Sequence, residues 1–283
     1  MSKTMISKKL TKQIINKSKG EFDSSAWIKE GKNLLLSSKV LRDSWQENHE
    51  KLIDQLKGGV RNQITPLIPI DEALPRASML LIGYAIELFL KAALAQVFIG
   101  CSEQLFQTTA RRKFSHNLLA LAQFVRFPLS KQTEEDLKTL ETSILEDGRY
   151  PLTINNSDDY HEKWNARTKK STDPANYQRY RDLADKLESY ARFISGTSED
   201  PVSHETWTIF NDGYISLRHG GGIPGRVTFR LSREMEGELN PLQELGSMIR
   251  AVSPRLAAAW DEFEIYEEVV EVTVSLKKHS IKK

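Results

Sequence analysis

The segment ARRKFSHNLLAL, residues 110–121, places three cations and a histidine directly before an apolar helical pattern. A histidine can accept and donate protons near neutral pH, which the transfer of a 2′-hydroxyl or leaving-group proton in RNA cleavage requires. A fixed arginine can stabilise the charge that develops on the phosphate. Arg111 and His116 are therefore candidate catalytic residues, with Arg112 and Lys113 as further phosphate contacts. Alternatively, His116 is a structural residue at the start of a core helix.

The helix predicted before this segment carries an ion pair. Glu87 and Lys91 are four residues apart, with the glutamate nearer the N-terminus, the order in which a helical ion pair forms best. Because the helix is apolar nearly all round, both charges need partners to offset the free-energy cost of burial. His116, at a helix start, and Arg149, in the turn after a later helix, are the candidate partners. Together the four residues are predicted to form a polar cluster.

A second group of candidate residues lies in the polar stretch 151–172, which has no periodicity and is predicted to be a long loop. Aromatic and cationic side chains alternate there, as they do where bases stack and phosphates pair with cations. A solvated loop without a ligand is the alternative. The candidate RNA-binding residues of this stretch are His161, Trp164, Arg167, Lys169 and Lys170.

The sequence predicts neither a metal site nor a cofactor site. Four further histidines are scattered without metal-ligand spacing, at positions 49, 204, 219 and 279. The glycine-rich sequence HGGGIPG, residues 219–225, joins two predicted strands, whereas a phosphate-binding loop opens a helix. This sequence is therefore predicted to be a hairpin connection.

Apolar periodicity predicts a bundle of five helices. The predicted ranges are 25–56, 76–99, 116–127, 134–146 and 174–194. The prolines of 60–75 predict a loop with extended pieces between the first two helices. Ser115 is predicted to cap the third helix, Thr133 and Asp136 to form a capping box for the fourth, and Asp173 to cap the fifth.

The periodicity changes after residue 197. WTIFNDGYISLR alternates on both sides of an Asn-Asp-Gly turn and predicts a hairpin, GRVTFRL predicts a third strand, and VVEVTVSL a closing strand. A helical segment with a break before Pro254 lies between the last two. The fold prediction is thus mainly α, with a smaller C-terminal α/β domain of three or four antiparallel strands plus helices. The predicted divisions are a basic N-terminal arm (1–20), a helical bundle (21–197), the α/β domain (201–276) and a basic tail (277–283).

Composition limits the cellular setting. The 283-residue chain has one cysteine, which excludes an intrachain disulfide, and residues 1–20 lack the apolar core of a secretory signal, so a cytoplasmic location is predicted. The apolar stretch 77–100 carries two charges near its middle and is predicted to be a core helix and not a membrane span. The lysines of the two termini either contact nucleic acid or an acidic partner, or are solvated.

The run LLIGYAIELFLKAAL, the later SHNLLAL and the later GRYP together resemble the HEPN superfamily of helical bundles. Those domains carry a Glu and a Lys on a central helix, a His-(Asp or Asn)-Leu opening on the next, and often an Arg-Tyr-(Pro or Gly) further on. The resemblance covers about residues 26–195. It implies a homodimer or larger homo-oligomer, contact with RNA, and service in prokaryotic antiviral defence or a toxin–antitoxin system, with a second protein of the same system as a candidate partner.

The resemblance also implies a catalytic alternative. Many HEPN proteins are metal-independent endoribonucleases in which an Arg and a His separated by a few residues act at a dimer interface, and Arg111 and His116 match that spacing. In the superfamily, however, the pair lies on the last helix of the bundle, and the last predicted helix here has no histidine. The leading expectation is a HEPN-type module that binds RNA or a partner protein. An endoribonuclease and a structural assembly protein are the alternatives.

The surroundings of His116 distinguish these expectations. Two copies of His116 across a solvent-open groove, within reach of Arg111, would favour catalysis. Packing of His116 against Glu87 inside one bundle would favour a structural role.

Overall fold

A computed structural model describes residues 12–59, 61–147, 158–235, 241–252, 262–270 and 274–279. The chain divides into two compact units. The helical unit comprises Ser25–Ala92 and His116–Ala191, and the sheet unit comprises Met1–Ser24, Ala93–Ser115 and Arg192–Lys283. The prediction that the protein is mainly helical with a C-terminal sheet is confirmed.

The described helices are α1 (Ser24–Gly58), α2 (Arg61–Ile64), α3 (Ile68–Val97), α4 (Glu103–Thr108), α5 (Leu118–Phe124), α6 (Lys131–Thr142), α7 (Asp158–Thr172), α8 (Pro174–Phe193) and α9 (Pro241–Val252). A 3-10 turn spans Gly20–Phe22, and π-helical turns span Thr109–Lys113 and Ser143–Asp147. The described strands are β1 (Ser203–Ile209), β2 (Gly213–Gly220), β3 (Ile223–Arg230), β4 (Glu264–Val270) and β5 (Val274–His279).

Helix α3 forms the centre of the helical unit. Ile82, Ile86 and Phe89 along it are fully buried, as expected of a helix that is apolar nearly all round. Helix α1 approaches it closely at Gly31, where a Cβ atom would lie 2.5 Å from the Phe89 ring. A glycine is therefore required at this contact, because any side chain would displace a core aromatic ring.

The segment Asn62–Val97 is the part of the described chain that is long and apolar enough to cross a membrane. Of its most apolar window, 67% is buried inside the protein. This burial agrees with the predicted core helix, because a helix that is mostly covered by other parts of the protein presents little surface to lipid.

The predicted loop over 60–75 is wrong, because Arg61–Ile64 is helical and α3 begins at Ile68. Pro69 lies in the first turn of α3, where backbone N–H groups have no intrahelical acceptor and a proline is tolerated. Pro75 lies inside the helix and removes one hydrogen bond. Burial of the residues that follow it offsets this loss, beginning with Ser78 and Met79.

The predicted loop over 151–172 is also wrong from residue 158 onward, because Asp158–Thr172 forms α7. Residues 148–157, which include Arg149, lie outside the described residues. Arg42 on α1 stabilises the end of α7 by donating to the carbonyl oxygens of Ser171 and Thr172, at 2.7 and 2.6 Å. A cation at the last carbonyl groups of a helix satisfies acceptors that have no intrahelical donor. The helix is thus held by a tertiary contact and not by an apolar stripe.

Two predicted helix starts are wrong by a few residues, and a third is confirmed. Helix α5 is capped by Asn117, not Ser115, and the Asn117 side chain accepts from Ala120 N at 2.8 Å. Helix α6 is capped by Ser130, three residues before the predicted Thr133. Each neighbouring residue has the same capping chemistry, so sequence alone does not select between them. The start of α8 is confirmed, since Asp173 Oδ1 accepts from Ala175 N at 2.8 Å.

The described strands of the sheet unit form one sheet in the order β1-β2-β3-β4-β5. The predicted hairpin is confirmed, with β1 and β2 antiparallel, and HGGGIPG does join β2 to β3. The exclusively antiparallel prediction is wrong for β3 and β4, which are parallel. A parallel pair needs a crossover connection, and the segment between these strands carries α9. VVEVTVSL is also not one strand, because β4 ends at Val270 and β5 begins at Val274.

The sheet has an apolar face and a polar face. Ile215, Leu217, Val227, Phe229 and Ile265 belong to the buried apolar cluster. Strand alternation places their neighbours on the opposite face, and these are also buried although polar. This polar face includes Tyr214, Ser216, Arg218, Arg226, Thr228, Arg230, Tyr266 and Glu268.

The compact units follow different boundaries from those predicted at 197 and 201. Residues 93–115, predicted inside the bundle, belong to the sheet unit. One contact that ties them to the sheet is the Ser102 hydroxyl, which donates to Glu268 Oε1 at 2.9 Å. Another is Ser216 Oγ, which donates to the carbonyl oxygen of Ile99 at 3.0 Å.

Candidate functional site

The polar cluster predicted on the central helix contains Glu87, Lys91 and His116. Glu87 Oε1 accepts from Lys91 Nζ at 2.5 Å, and Glu87 Oε2 lies 2.9 Å from His116 Nδ1. The Glu87 side chain is 5% exposed, against 14% for Lys91 and 25% for His116. One buried carboxylate is therefore shared by two cation-forming groups, both in the helical unit.

Two elements position these groups. Lys91 lies one helical turn after Glu87 on α3, and His116 directly precedes Asn117, the cap of α5. Aromatic rings border the cluster: Lys91 Nζ lies 5.8 Å from the centroid of the Trp27 ring, and the Tyr84 ring meets the imidazole edge-on at 6.4 Å. These rings limit the water around the carboxylate, which strengthens its interactions with both partners.

The cluster has a structural rationale that needs no substrate. A buried carboxylate without partners is strongly unfavourable, and removal of one member of a buried ion pair typically costs about 3–5 kcal/mol. The imidazole uses Nδ1 toward Glu87, so the carboxylate fixes the orientation of the ring. His116 therefore packs against Glu87 within one bundle, the arrangement expected of a structural residue.

Arg111 has a different partner. Its Nη2 lies 2.8 Å from Glu21 Oε2, and its side chain is 66% exposed. Arg111 and Glu21 both belong to the sheet unit, whereas His116 belongs to the helical unit. The sequence spacing that suggested a catalytic pair thus corresponds to two separate contacts, the ion pair of Arg111 with Glu21 and the contact of His116 with Glu87.

The two cations that follow Arg111 lie in the same π-helical turn. Arg112 and Lys113 are exposed residues of the turn Thr109–Lys113. The Lys113 ammonium lies 5.5 Å from the centroid of the Phe114 ring. Desolvation of its ammonium group, with a further contribution from the charge of Arg226, lowers the pKa of Lys113 although the side chain as a whole is exposed.

Helix α7 carries the second group of predicted residues. Four residues of α7 are spaced as i, i+3, i+4 and i+7, which places them on one face of the helix. They are Trp164, Arg167, Thr168 and Ser171. All four line a cleft with a volume of about 180 Å³. The interleaved aromatic and cationic residues therefore border a concave surface and do not lie on a loop.

The other α7 candidates lie beside this cleft or away from its lining. His161 and Lys169 are exposed. Lys170 Nζ donates to the carbonyl oxygen of Thr139 at 3.3 Å and lines a neighbouring cavity of about 20 Å³. Arg76 and Arg167 line both spaces, so cationic groups continue from one to the other.

The N-terminal turns of α3 form another part of the lining, the α3 wall, with Asp71, Glu72 and Arg76 among its residues. Asp71 Oδ1 lies 2.9 Å from His49 Nδ1. The imidazole of His49 lies 5.2 Å, centroid to centroid, from the ring of Trp45 one turn earlier on α1. This contact fixes the Asp71 carboxylate at the edge of the cleft.

The residues that α3 contributes to the cleft were not predicted as part of a site, because 60–75 is predicted to be a loop. A signal for them exists. Pro69 followed by Asp71 and Glu72 is typical of a helix start, where proline fits the first turn and acidic groups are stabilised by the free N–H groups. That pattern predicts helical spacing from Asp71 to Arg76.

The described part of the chain holds no group of three or more His, Cys, Asp or Glu residues that could bind a metal ion. No protein-family model, curated protein or solved structure matches this chain.

Proposed function

We propose that this protein is a HEPN-like module that binds RNA without cutting it, in the bacterial or archaeal cytoplasm, as a homo-oligomer that serves a defence or toxin–antitoxin system. The cleft beside α7 carries this proposal. It combines the indole of Trp164 with the guanidinium groups of Arg76 and Arg167. An aromatic surface for bases beside cations for phosphates is the combination that single-stranded RNA requires.

The polar cluster has a structural rationale of its own, so its presence does not require cleavage. Glu87 contacts Nδ1 of His116, and Arg111 is paired with Glu21. An endoribonuclease of the proposed family needs the arginine and the histidine at one phosphate, to stabilise charge and transfer protons together.

The test incubates the full-length protein with total RNA in EDTA and measures both a gel shift and strand cleavage. We expect a shift without cleavage. Arg167→Gln should weaken binding by about threefold to tenfold, since one phosphate contact is lost. Lys186→Gln is the matched control, because Lys186 is an exposed cation of α8 that does not line the cleft. Equal losses in the two variants would contradict a role for the cleft.

The alternatives appear as other outcomes of the same experiment. Cleavage that His116→Ala abolishes and His161→Ala does not would establish the endoribonuclease. If the RNA shows neither a gel shift nor cleavage, the structural assembly protein is the alternative that remains.

A further inference from the structure

The lining of the cleft beside α7 combines apolar side chains with acidic ones. Its apolar lining comes from Leu52, Ile68, Pro75 and Trp164. Its volume of about 180 Å³ lies below the roughly 300–1,000 Å³ of pockets that enclose drug-sized ligands, so it limits the occupant to a small group and excludes several nucleotides. The occupant that this size fits is a single base, inserted with its ring against Trp164.

Stacking at this position does not depend on base identity. An indole ring stabilises any base through contact of the two faces, and a guanidinium plane adds a second stacking or phosphate-binding surface. Arg167 lies one helical turn after Trp164, on the same face of α7. The selectivity of the cleft must therefore come from other side chains of its lining.

The α3 wall presents acidic groups. Asp71 and Glu72 both line the cleft, and His49 holds Asp71 through a contact of 2.9 Å between Nδ1 and Oδ1. An ionised carboxylate accepts hydrogen bonds and donates none. A base is thus selected by the number of N–H groups along the edge that it turns toward this wall.

Guanine is the base that satisfies such a wall best. Its Watson–Crick edge carries two adjacent donors, the ring N1–H and the exocyclic amino group, and a carboxylate can accept from both in parallel. Adenine, cytosine and uracil each place an acceptor beside their donor on this edge, and that acceptor would face a carboxylate oxygen. The mismatch leaves a polar group unpaired and repelled.

We infer that the cleft formed by α1, α3 and α7 is a guanine-selective base pocket, with Trp164 stacking on the ring and the carboxylates of Asp71 and Glu72 accepting from its edge. Arg76 and Arg167, which line the same cleft, provide cationic groups for the phosphate that follows the base. The inference rests on the proposed RNA binding, whose base selectivity it specifies.

The test uses two labelled octanucleotides, UUUUGUUU and UUUUAUUU, with the full-length protein and fluorescence anisotropy. The guanine oligonucleotide should bind about tenfold more tightly, the discrimination that one bidentate contact provides. In the double variant Asp71→Asn/Glu72→Gln the preference should fall to less than twofold, because each amide presents a donor as well as an acceptor. Trp164→Leu should weaken both oligonucleotides equally.

The matched control is Glu135→Gln/Asp185→Asn, which removes the same charge from exposed positions on α6 and α8. It should strengthen both oligonucleotides slightly and leave the preference intact. Equal binding of the two oligonucleotides by the unaltered protein, or a preference that survives in the Asp71→Asn/Glu72→Gln variant, would overturn the inference while RNA binding stands. Binding of neither oligonucleotide would overturn the proposed function.

A third arm distinguishes guanine in RNA from free guanine nucleotide. GMP and AMP are added as competitors against the guanine oligonucleotide. If GMP competes only at concentrations at least a hundredfold above the Kd of the oligonucleotide, the guanine that the pocket binds belongs to RNA. The flanking phosphates of the RNA then add affinity that GMP lacks. GMP binding as tight as that of the oligonucleotide supports a free nucleotide as the ligand of the same pocket.

Discussion

The two units of this protein bury charge in different ways. In the helical unit, Glu87 is shared by two groups that keep some contact with solvent, and the Lys91 partner comes from the same helix. In the sheet unit, Arg230 and Glu268 form an ion pair across strands, with side chains 4% and 0% exposed. The Tyr214 hydroxyl also donates to Glu268, and complete burial, reinforced by Cys101 and Glu268, raises the pKa of Tyr214 well above its ordinary value.

This difference indicates what each arrangement can do. A fully enclosed network is stable only when every member has its partner, so it enforces one strand register. A cluster whose partners reach solvent loses less when its central charge is removed, because water can solvate the partners that remain. Charged groups that line the cleft of the helical unit, such as Glu72 and Arg76, are exposed to water as well.

The largest predicted effect is in the sheet unit. Arg230→Met should lower the free energy of unfolding by about 3–5 kcal/mol, because it leaves the Glu268 carboxylate buried without its cation. Urea unfolding followed by circular dichroism measures the change. Arg233→Met is the control, since Arg233 is 45% exposed and its pair with Asp212 spans 3.5 Å, for which less than about 1 kcal/mol is expected. Similar losses in both variants would remove the contrast between enclosed and exposed pairs.

A smaller effect is predicted for the cluster in the helical unit. Glu87→Gln keeps the shape of the side chain but removes the charge that Lys91 and His116 share, and it should cost about 1–3 kcal/mol. The same urea titration applies, with exposed Glu135→Gln as the control. A loss as large as that of Arg230→Met would show that the two units do not differ in how they tolerate a missing charge.

The smallest effect concerns pH and the β1 strand. Burial, together with the charges of Arg218 and His219, lowers the pKa of His204 to about 4. The imidazole of His204 therefore takes up a proton more readily in the unfolded chain than in the folded protein. The free energy of unfolding has its full value above about pH 6.5 and falls as the pH drops toward 4. Partial exposure limits the contribution to on the order of 1 kcal/mol. His204→Gln should flatten the stability profile between pH 7 and 4.5, whereas His161→Gln, at an exposed position of α7, should leave the slope unchanged.

Local sequence signals predicted the elements that short-range chemistry determines. Asp173 and Pro174 marked the start of α8, the Asn-Asp-Gly turn marked the β1–β2 hairpin, and the spacing of Glu87 and Lys91 marked their ion pair. Each of these depends on residues within a few positions of one another. His116 was included in the predicted polar cluster because a buried carboxylate needs more than one partner.

Long-range pairing accounts for what the sequence did not predict. Alternation in β3 and β4 is the same whether the strands run parallel or antiparallel, so their parallel register is not encoded locally. Helix α7 has little apolar periodicity, and it is held at its end by Arg42, more than a hundred residues earlier. The cleft needs α1, α3 and α7 together, so it could not be predicted while two of its walls were assigned to loops.

The division of the chain into alternating stretches has a consequence for synthesis. Ser102 and Glu268 bond to each other across 166 residues, and the sheet unit gathers segments from the beginning, the middle and the end of the chain. At 5–20 residues per second, the ribosome needs roughly 10–30 s to deliver Glu268 after Ser102 has emerged. During that interval the strands that Ser102 and its neighbours contact in the folded protein have not yet been synthesised. Chaperone dependence during translation should therefore concentrate on the segment 93–115.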